Sequence, residues 1–342
     1  VRFHPEPVRS RAAAPAALAL ALSLAVAAPA GASCGASNCF LVSGVGDAVI
    51  EPGQTVVDLS YRYIPQDVKR GGTRHVDEVL VPAIDFETGT IIPAHHREYR
   101  TINVLGELDV TYGLTPNLTV AVAVPFYNDR YHEHDDDVDL AAVPPENGTF
   151  SNRAGTRGFG DVALNLRYAA RTTARTQLSV GGGVKLPTGE YTLRDPEGAV
   201  GEPTLMPGTG SVDWQAAAML QVLLPHAASG FVSASHRFTG ENDLDYQLGD
   251  ATVASAGAAW NATDRITLSG QVNARHTRRD RFLGRPVPST GSRLVFLTPG
   301  ARLATGPESS LYAHVQVPVF SDVNEVGLVP RYALQLGVTH SF

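Results

Sequence analysis

His132-Glu133-His134-Asp135-Asp136-Asp137, with Asp139 just beyond, is the densest run of cation ligands in the chain. His95, His96 and Glu98 form a second group upstream, and His75, Asp77 and Glu78 form a third. Imidazoles combined with carboxylates suit Zn2+, Cu2+ or Ni2+, whereas aspartates alone suit Ca2+. Their spacing prescribes no coordination geometry, and a solvated acidic loop accounts for the same residues. The candidate ligands for a divalent ion are therefore His132, Glu133, His134, Asp135, Asp137, His95 and His96, all expected in long surface loops. No other cofactor is called for.

Cys34 and Cys39 are the only cysteines. In an exported chain so close a pair is most simply a local disulfide, a redox or metal role being the alternative. A Cys-Xaa-Xaa-Cys-His haem site is absent. Gly158-Phe159-Gly160-Asp161 is no dinucleotide fingerprint, because no helix follows and no third glycine is placed for one. A formal charge of −7 over 342 residues argues against nucleic acid as a partner.

Export is written at the start of the chain. Arg2, Arg9 and Arg11 precede an apolar run from Ala12 to Ala30, and Ala28-Pro29-Ala30 or Ala30-Gly31-Ala32 supplies a small-residue cleavage site. Residues 1–32 are read as a signal peptide and 33–54 as a periplasmic segment. A membrane anchor and a lipoprotein ending at Cys34 are the alternatives; against the second, Gly31 stands where a lipobox usually has Leu. No later segment is apolar for 18 or so residues, so the mature chain is either soluble or a barrel.

Beyond Cys39, two-residue alternation recurs twelve times, bounded by Gly, Pro, Asn or Asp. The expected strands are 55–63, 100–112, 118–127, 161–169, 177–186, 211–223, 230–239, 251–260, 266–276, 293–303, 310–320 and 331–342. Their length, about ten residues, suits a tilted bilayer crossing. Connections 64–99, 128–160, 187–210, 240–250, 277–292 and 321–330 are long, and those between them are short. Long loops at one rim and tight turns at the other mark a membrane barrel rather than a sandwich. Lipid offers no partner to an open edge, so the last strand must close on the first. The expected fold is thus all-β, a closed antiparallel transmembrane barrel of about twelve strands over 55–342.

Tyr61, Tyr63, Tyr112, Phe126, Tyr168, Trp214, Phe238 and Trp260 lie toward strand ends, where an aromatic girdle belongs. The opposite face carries Asp58, Arg62, Asn103, Glu107, Asp109, Asn165, Arg167, Lys185, Asp213, Gln215, Arg237, Arg275, Arg302, His314 and Gln335. Such groups are too polar for a dry core, so the lumen is wet or networked by ion pairs. Twelve strands are intermediate between a filled barrel and an open channel; a narrow pore is expected, with a plugged barrel as the alternative.

The closing segment Tyr332 to Phe342 alternates strictly and ends on Phe, which resembles the last strand of bacterial outer-membrane barrels. That resemblance implies that Phe342 is read by the barrel-assembly machinery. The segments Gly158-Phe159-Gly160-Asp161, Lys185-Leu186-Pro187-Thr188-Gly189-Glu190-Tyr191 and Pro207-Gly208-Thr209-Gly210-Ser211-Val212-Asp213 resemble a family of outer-membrane transporters associated with the meta-cleavage pathway of phenol degradation. The likeness is good over about 155–225 and rests elsewhere on strand layout. It implies passage of small solutes, aromatic ones among them, and carries over no catalytic residues.

Barrel enzymes that act on lipid carry a His-Xaa-Ser motif, and none of the 11 histidines here is followed two positions later by Ser. The expected function is an outer-membrane channel for small solutes rather than an enzyme, set among lipid, with long loops outside and both termini periplasmic. A non-conducting scaffold and a surface metal-binding barrel are the alternatives.

Overall fold

The computed structural model describes residues 49–139, 146–148, 157–194 and 198–342. The expected signal peptide, residues 1–32, and the Cys34 and Cys39 pair lie outside the described residues. Among those residues no helix is long and apolar enough to cross a membrane, which says nothing of strands.

Twelve strands run as an antiparallel meander: β1 (Thr55–Gly72), β2 (Thr90–Thr115), β3 (Leu118–Asp139), β4 (Ala163–Thr172), β5 (Thr176–Lys185), β6 (Asp213–Leu224), β7 (Ala228–Phe238), β8 (Ala251–Asn261), β9 (Ile266–Thr277), β10 (Ser292–Ala304), β11 (Ser309–Pro330) and β12 (Ala333–Ser341). Each pairs with its neighbours in sequence, and β12 returns to β1, with Val56 opposite Ser341 and Tyr63 opposite Leu334. The sheet therefore closes, and no lipid-facing edge is left at the level of β12.

Alternation sorts the residues between the two faces. Leu164, Leu166 and Tyr168 on β4, and Ile266, Leu268 and Val272 on β9, are exposed apolar residues on the outer wall. Tyr112, Tyr168, Trp260 and Phe342 are exposed at the rim of tight turns, and Phe126, Trp214, Phe238 and Phe320 toward the other rim. Tyr61 is exposed too, while Tyr63 is half-buried beside the ring of Tyr332. Two aromatic rings bracketing an apolar band are what a bilayer's two interfaces favour.

Four strands are much longer than expected. β1, β2, β3 and β11 have 18, 26, 22 and 22 residues, against about ten for a tilted crossing. Stretches expected as loops, 64–72, 90–99, 128–139 and 321–330, are continuous strand. They form a tall wall on one side, rising beyond the band at the level where Asp129 pairs outward with Arg157 and Glu133 with Arg100. Along 128–139 both faces are polar, and along 321–330 apolar and polar residues do not alternate, so the pattern gives no signal there and the ladder is held by cross-strand pairing instead.

This wall has a seam. β12 is short, and above it β1 pairs directly with β11, Gln66 opposite Pro330 through Gly72 opposite Val323. The connection expected over 321–330 thus shrinks to Arg331 and Tyr332. Behind the seam, Ile64, Leu294, Phe296, Val323, Val329 and Ala333 form an apolar cluster inside the barrel. That cluster explains why β10 is apolar on both faces. At the same rim, Tyr246–Gln247, Arg281–Phe282 and Arg285–Pro286 make a small separate sheet, with Tyr246, Phe282 and Val287 packed under Phe86.

Candidate functional site

The connection between β5 and β6 does not stay outside. Asn128 Nδ2 donates to the Pro207 carbonyl at 2.9 Å, and Arg130, fully buried on β3, donates to the carbonyls of Thr204 and Met206. Met206 and Leu205 are themselves buried, so the middle of the connection is folded into the barrel.

Its two limbs are clasped by Asp161. One oxygen accepts the N–H of Gly189 at 3.0 Å; the other accepts the N–H and hydroxyl of Thr209, both at 2.9 Å. Lys185 sits against the same carboxylate at 2.7 Å, with Asp213 at 3.4 Å, and donates to the Ser211 carbonyl at 2.8 Å. A Cβ on Gly208 would overlap the Gly189 carbonyl, and one on Gly189 would meet the Gly208 Cα, so only glycine allows the limbs to cross this closely.

The remaining inward-pointing residues line the wall around and below this segment. Arg62 donates to Glu107 at 2.6 Å, with Asp109 further along β2, and Asp58 accepts from Tyr312 and Thr339, both at 2.7 Å. Asn103 lies opposite Ile64 and Arg130. Asn165 and Arg167 face Gly183 and Gly181, and Gln215 lies between Gly183 and Arg237. Arg275 is buried opposite Leu294. Arg302 donates to Ser310 at 2.8 Å and stacks on Tyr312. His314 is buried over Gly300, and Gln335 lies opposite Arg62 and His314.

Among the described residues, two cavities lie along this wall. One, of about 300 Å³, is bounded by Arg62, Glu107, Arg130, Asp161, Lys185 and Arg237 beside the inward segment. The other, of about 700 Å³, opens at the turn rim among Gln221, Phe231, Gln271, Arg302 and His314, and Val49 reaches it. Ile50 there donates its N–H to the inward hydroxyl of Thr119, so residues 49–50 turn into the barrel mouth. Between the cavities lies a fully buried polar layer, in which Asn273 donates to Ser255 at 2.9 Å and accepts from Thr298 at 2.8 Å.

The expected metal ligands are redistributed because they stand on strands rather than loops. His132 and His134 point inward from β3, while Glu133 points outward to Arg100. Asp135 takes the Tyr99 hydroxyl and lies 3.7 Å from Arg97. His95 stacks edge-on to His96 outside the ligand group, and the side chain of Asp137 lies outside the described residues. His96, Glu98, His132 and Glu202 bring their ligand atoms within 4.8 Å of one another, and His134 is packed against both histidines. Glu202 comes from the inward segment, whose ordinary loop composition gives no sign of it. This level is above the apolar band. Burial and then the neighbouring Glu202 push the Glu98 carboxyl up to about 7. Burial works against Glu202 as well, yet the imidazoles of His96, His132 and His134 hold it well below the usual carboxylate range.

Residues 81–321 match the family described as "Putative MetA-pathway of phenol degradation". The chain belongs to this family. Its clasp is built from the three segments that carried the resemblance, which gives those residues a physical task. An outer membrane channel from Pseudomonas putida F1 superposes with a TM-score of 0.59 at 14% identity, covering 89% of this chain and 100% of that one. At such identity the likeness is one of fold. The P. putida toluene transporter TodX gives a TM-score of 0.43 at 11% identity, covering 85% of this chain and 90% of that one. No curated protein matches the sequence.

Proposed function

We propose that this family member is an outer-membrane channel for small solutes, including phenol-sized aromatics, and that its inward segment sets the width of the path. The observation that carries this reading is the clasp at Asp161. A barrel used only as a scaffold has no need to fold a loop inward against a lumenal cavity and anchor it with a buried carboxylate. The path would run past Arg130 and Lys185, through the polar layer at Asn273 and into the larger cavity. There Phe231 and Leu223 offer an apolar surface, while Gln271, Arg302 and His314 can bond a ring substituent. Asp58, Arg62, Asn103, Glu107, Asp109, Asn165, Arg167, Lys185, Asp213, Gln215, Arg237, Arg275, Arg302, His314 and Gln335 are its proposed lining. Charges of both signs along it would give weak ion selectivity.

Residues 1–32 would be removed on export, 33–54 with a Cys34 and Cys39 disulfide would form a segment on the periplasmic side whose Val49 and Ile50 enter the barrel mouth, and the long loops would face outside. The assembly machinery would read Phe342. Planar-bilayer recording of the purified barrel, with liposome uptake of phenol and benzoate, tests the reading. Small ohmic steps and uptake above that of empty liposomes are expected. Silence from correctly folded protein would leave the non-conducting scaffold instead.

A further inference from the structure

We infer that His96, Glu98, His132 and Glu202 form a site for a divalent first-row transition ion, with Zn2+ as its principal occupant, which staples the inward segment to the barrel wall. Two imidazoles and two carboxylates are an N2O2 donor set of the kind Zn2+ accepts in four-coordinate sites. Hard Ca2+ prefers oxygen alone, so the two histidines select against it. Ligand atoms already within 4.8 Å of one another need only small side-chain rotations to close on an ion, since bonds of about 2.0–2.2 Å place tetrahedral donors roughly 3.4 Å apart. Charge also balances: two carboxylates against one divalent cation, with both imidazoles neutral.

The surroundings favour coordination. Thr101 Oγ1 lies 2.8 Å from His132 Nδ1, an outer partner that fixes the ring and directs Nε2 toward the cluster. His96, Glu98 and His132 are buried on the rigid ladder of β2 and β3. Glu202, the fourth ligand, stands beside the turn Pro203–Leu205 and reaches His96 Nε2 at 2.7 Å. Its neighbours Thr204 and Met206 are the residues whose carbonyls Arg130 holds. An ion here would therefore fasten the tip of the segment from a second side, above the lipid band and within reach of external solution. Without an ion the same groups reduce to a hydrogen-bonded imidazole–carboxylate network, which the test separates from the site.

The inference goes beyond conduction, and its readout does not depend on it. Full-length barrel, purified without a histidine tag and stripped with chelator, is titrated with Zn2+ by calorimetry and with Co2+ by visible absorption. One ion per chain is expected. The double variant His96→Ala/His132→Ala should lower the affinity at least a hundredfold, and Thr101→Val roughly ten- to a hundredfold. His226→Ala, on a turn at the far rim, should change nothing. Glu202→Gln, in a connection rather than a strand, should also weaken binding and covers the case in which the double variant fails to fold. Hydrogen exchange over residues 198–208 should slow when Zn2+ is added. No Zn2+ binding above buffer, or equal binding by wild type and the Glu202 variant, would overturn the site; unchanged exchange would overturn the staple.

Discussion

The carboxylate of Asp161 and the ammonium of Lys185 stand 2.7 Å apart inside the barrel, and the same carboxylate holds Gly189 and Thr209, one residue from each limb of the inward segment. Asp161→Ala removes the shared partner of all three. Unpairing one side of a buried ion pair costs about 3–5 kcal/mol, enough to loosen the crossing of the two limbs although Asn128, Arg130 and Asn242 still bond the segment. Single-channel conductance is expected to rise several-fold, with the strand content by circular dichroism unchanged. A wild-type conductance in the variant would mean that the clasp does not set the path.

Gly208 tests the same crossing sterically. Gly208→Ala places a methyl group against the Gly189 carbonyl, an overpacking strain of roughly 1–3 kcal/mol. Proteolysis within 187–210 is expected to speed up in the variant, while cleavage elsewhere stays at the wild-type rate.

The seam between β1 and β11 predicts a cross-link. Val68 lies opposite Val329, and directly paired Cβ atoms are about 4.5–5.5 Å apart. The double variant Val68→Cys/Val329→Cys should oxidise within one molecule and shift its mobility on a non-reducing gel. Free thiols after mild oxidation would argue that β1 and β11 do not meet there.

Phe342 closes the barrel's last rung. Its N–H donates to the Thr55 carbonyl at 2.8 Å, and the Thr55 N–H returns to the Phe342 carbonyl at 3.3 Å, while the ring is exposed on the outer wall. Deleting Phe342 is expected to reduce outer-membrane levels severalfold without altering the conductance of molecules that do assemble. Equal levels of the two proteins in membrane fractions would deny it an assembly role.

Asp280, outside the membrane band, carries a pH dependence. Burial pushes its carboxyl up to about 6, although Tyr246 and the Gly249 N–H, each 2.7 Å away, pull the other way. The folded state therefore binds this proton more tightly than the unfolded chain does. Stability from this group is fully present below about pH 4 and is lost as pH rises through 6, by roughly 3 kcal/mol at most. Hydrogen-exchange protection factors in 245–250 and 278–290, with the intrinsic base catalysis divided out, should fall from pH 4 to pH 7, and Asp280→Asn should flatten that slope. A slope of the opposite sign would rule the mechanism out.

Strand number, the two faces and the sorting of tight turns to one rim were legible in the residues themselves. Alternation is a local property with a period of two, so Leu164, Leu166 and Tyr168 declare an outer wall without reference to anything distant. The aromatic residues at strand ends belong to the same local signal. What alternation could not reach was a stretch polar on both faces, such as 128–139, or one whose apolar residues do not alternate, such as 321–330 with Val326, Leu328 and Val329, and both read as loops. Pairing across the ladder decided them: Asp135 opposite Arg97, Val329 opposite Val68. The inward course of the β5–β6 connection was equally out of reach, since it depends on Asn128 and Arg130, more than 70 residues away, offering donors to its carbonyls. His132 and His96 were visible as ligand types in separate runs. Only the tertiary structure set them on adjacent strands, turned Glu133 to the outside, and brought Glu202 across the lumen to meet them, because a cation site is defined by convergence in space and the chain carries only the order of its residues.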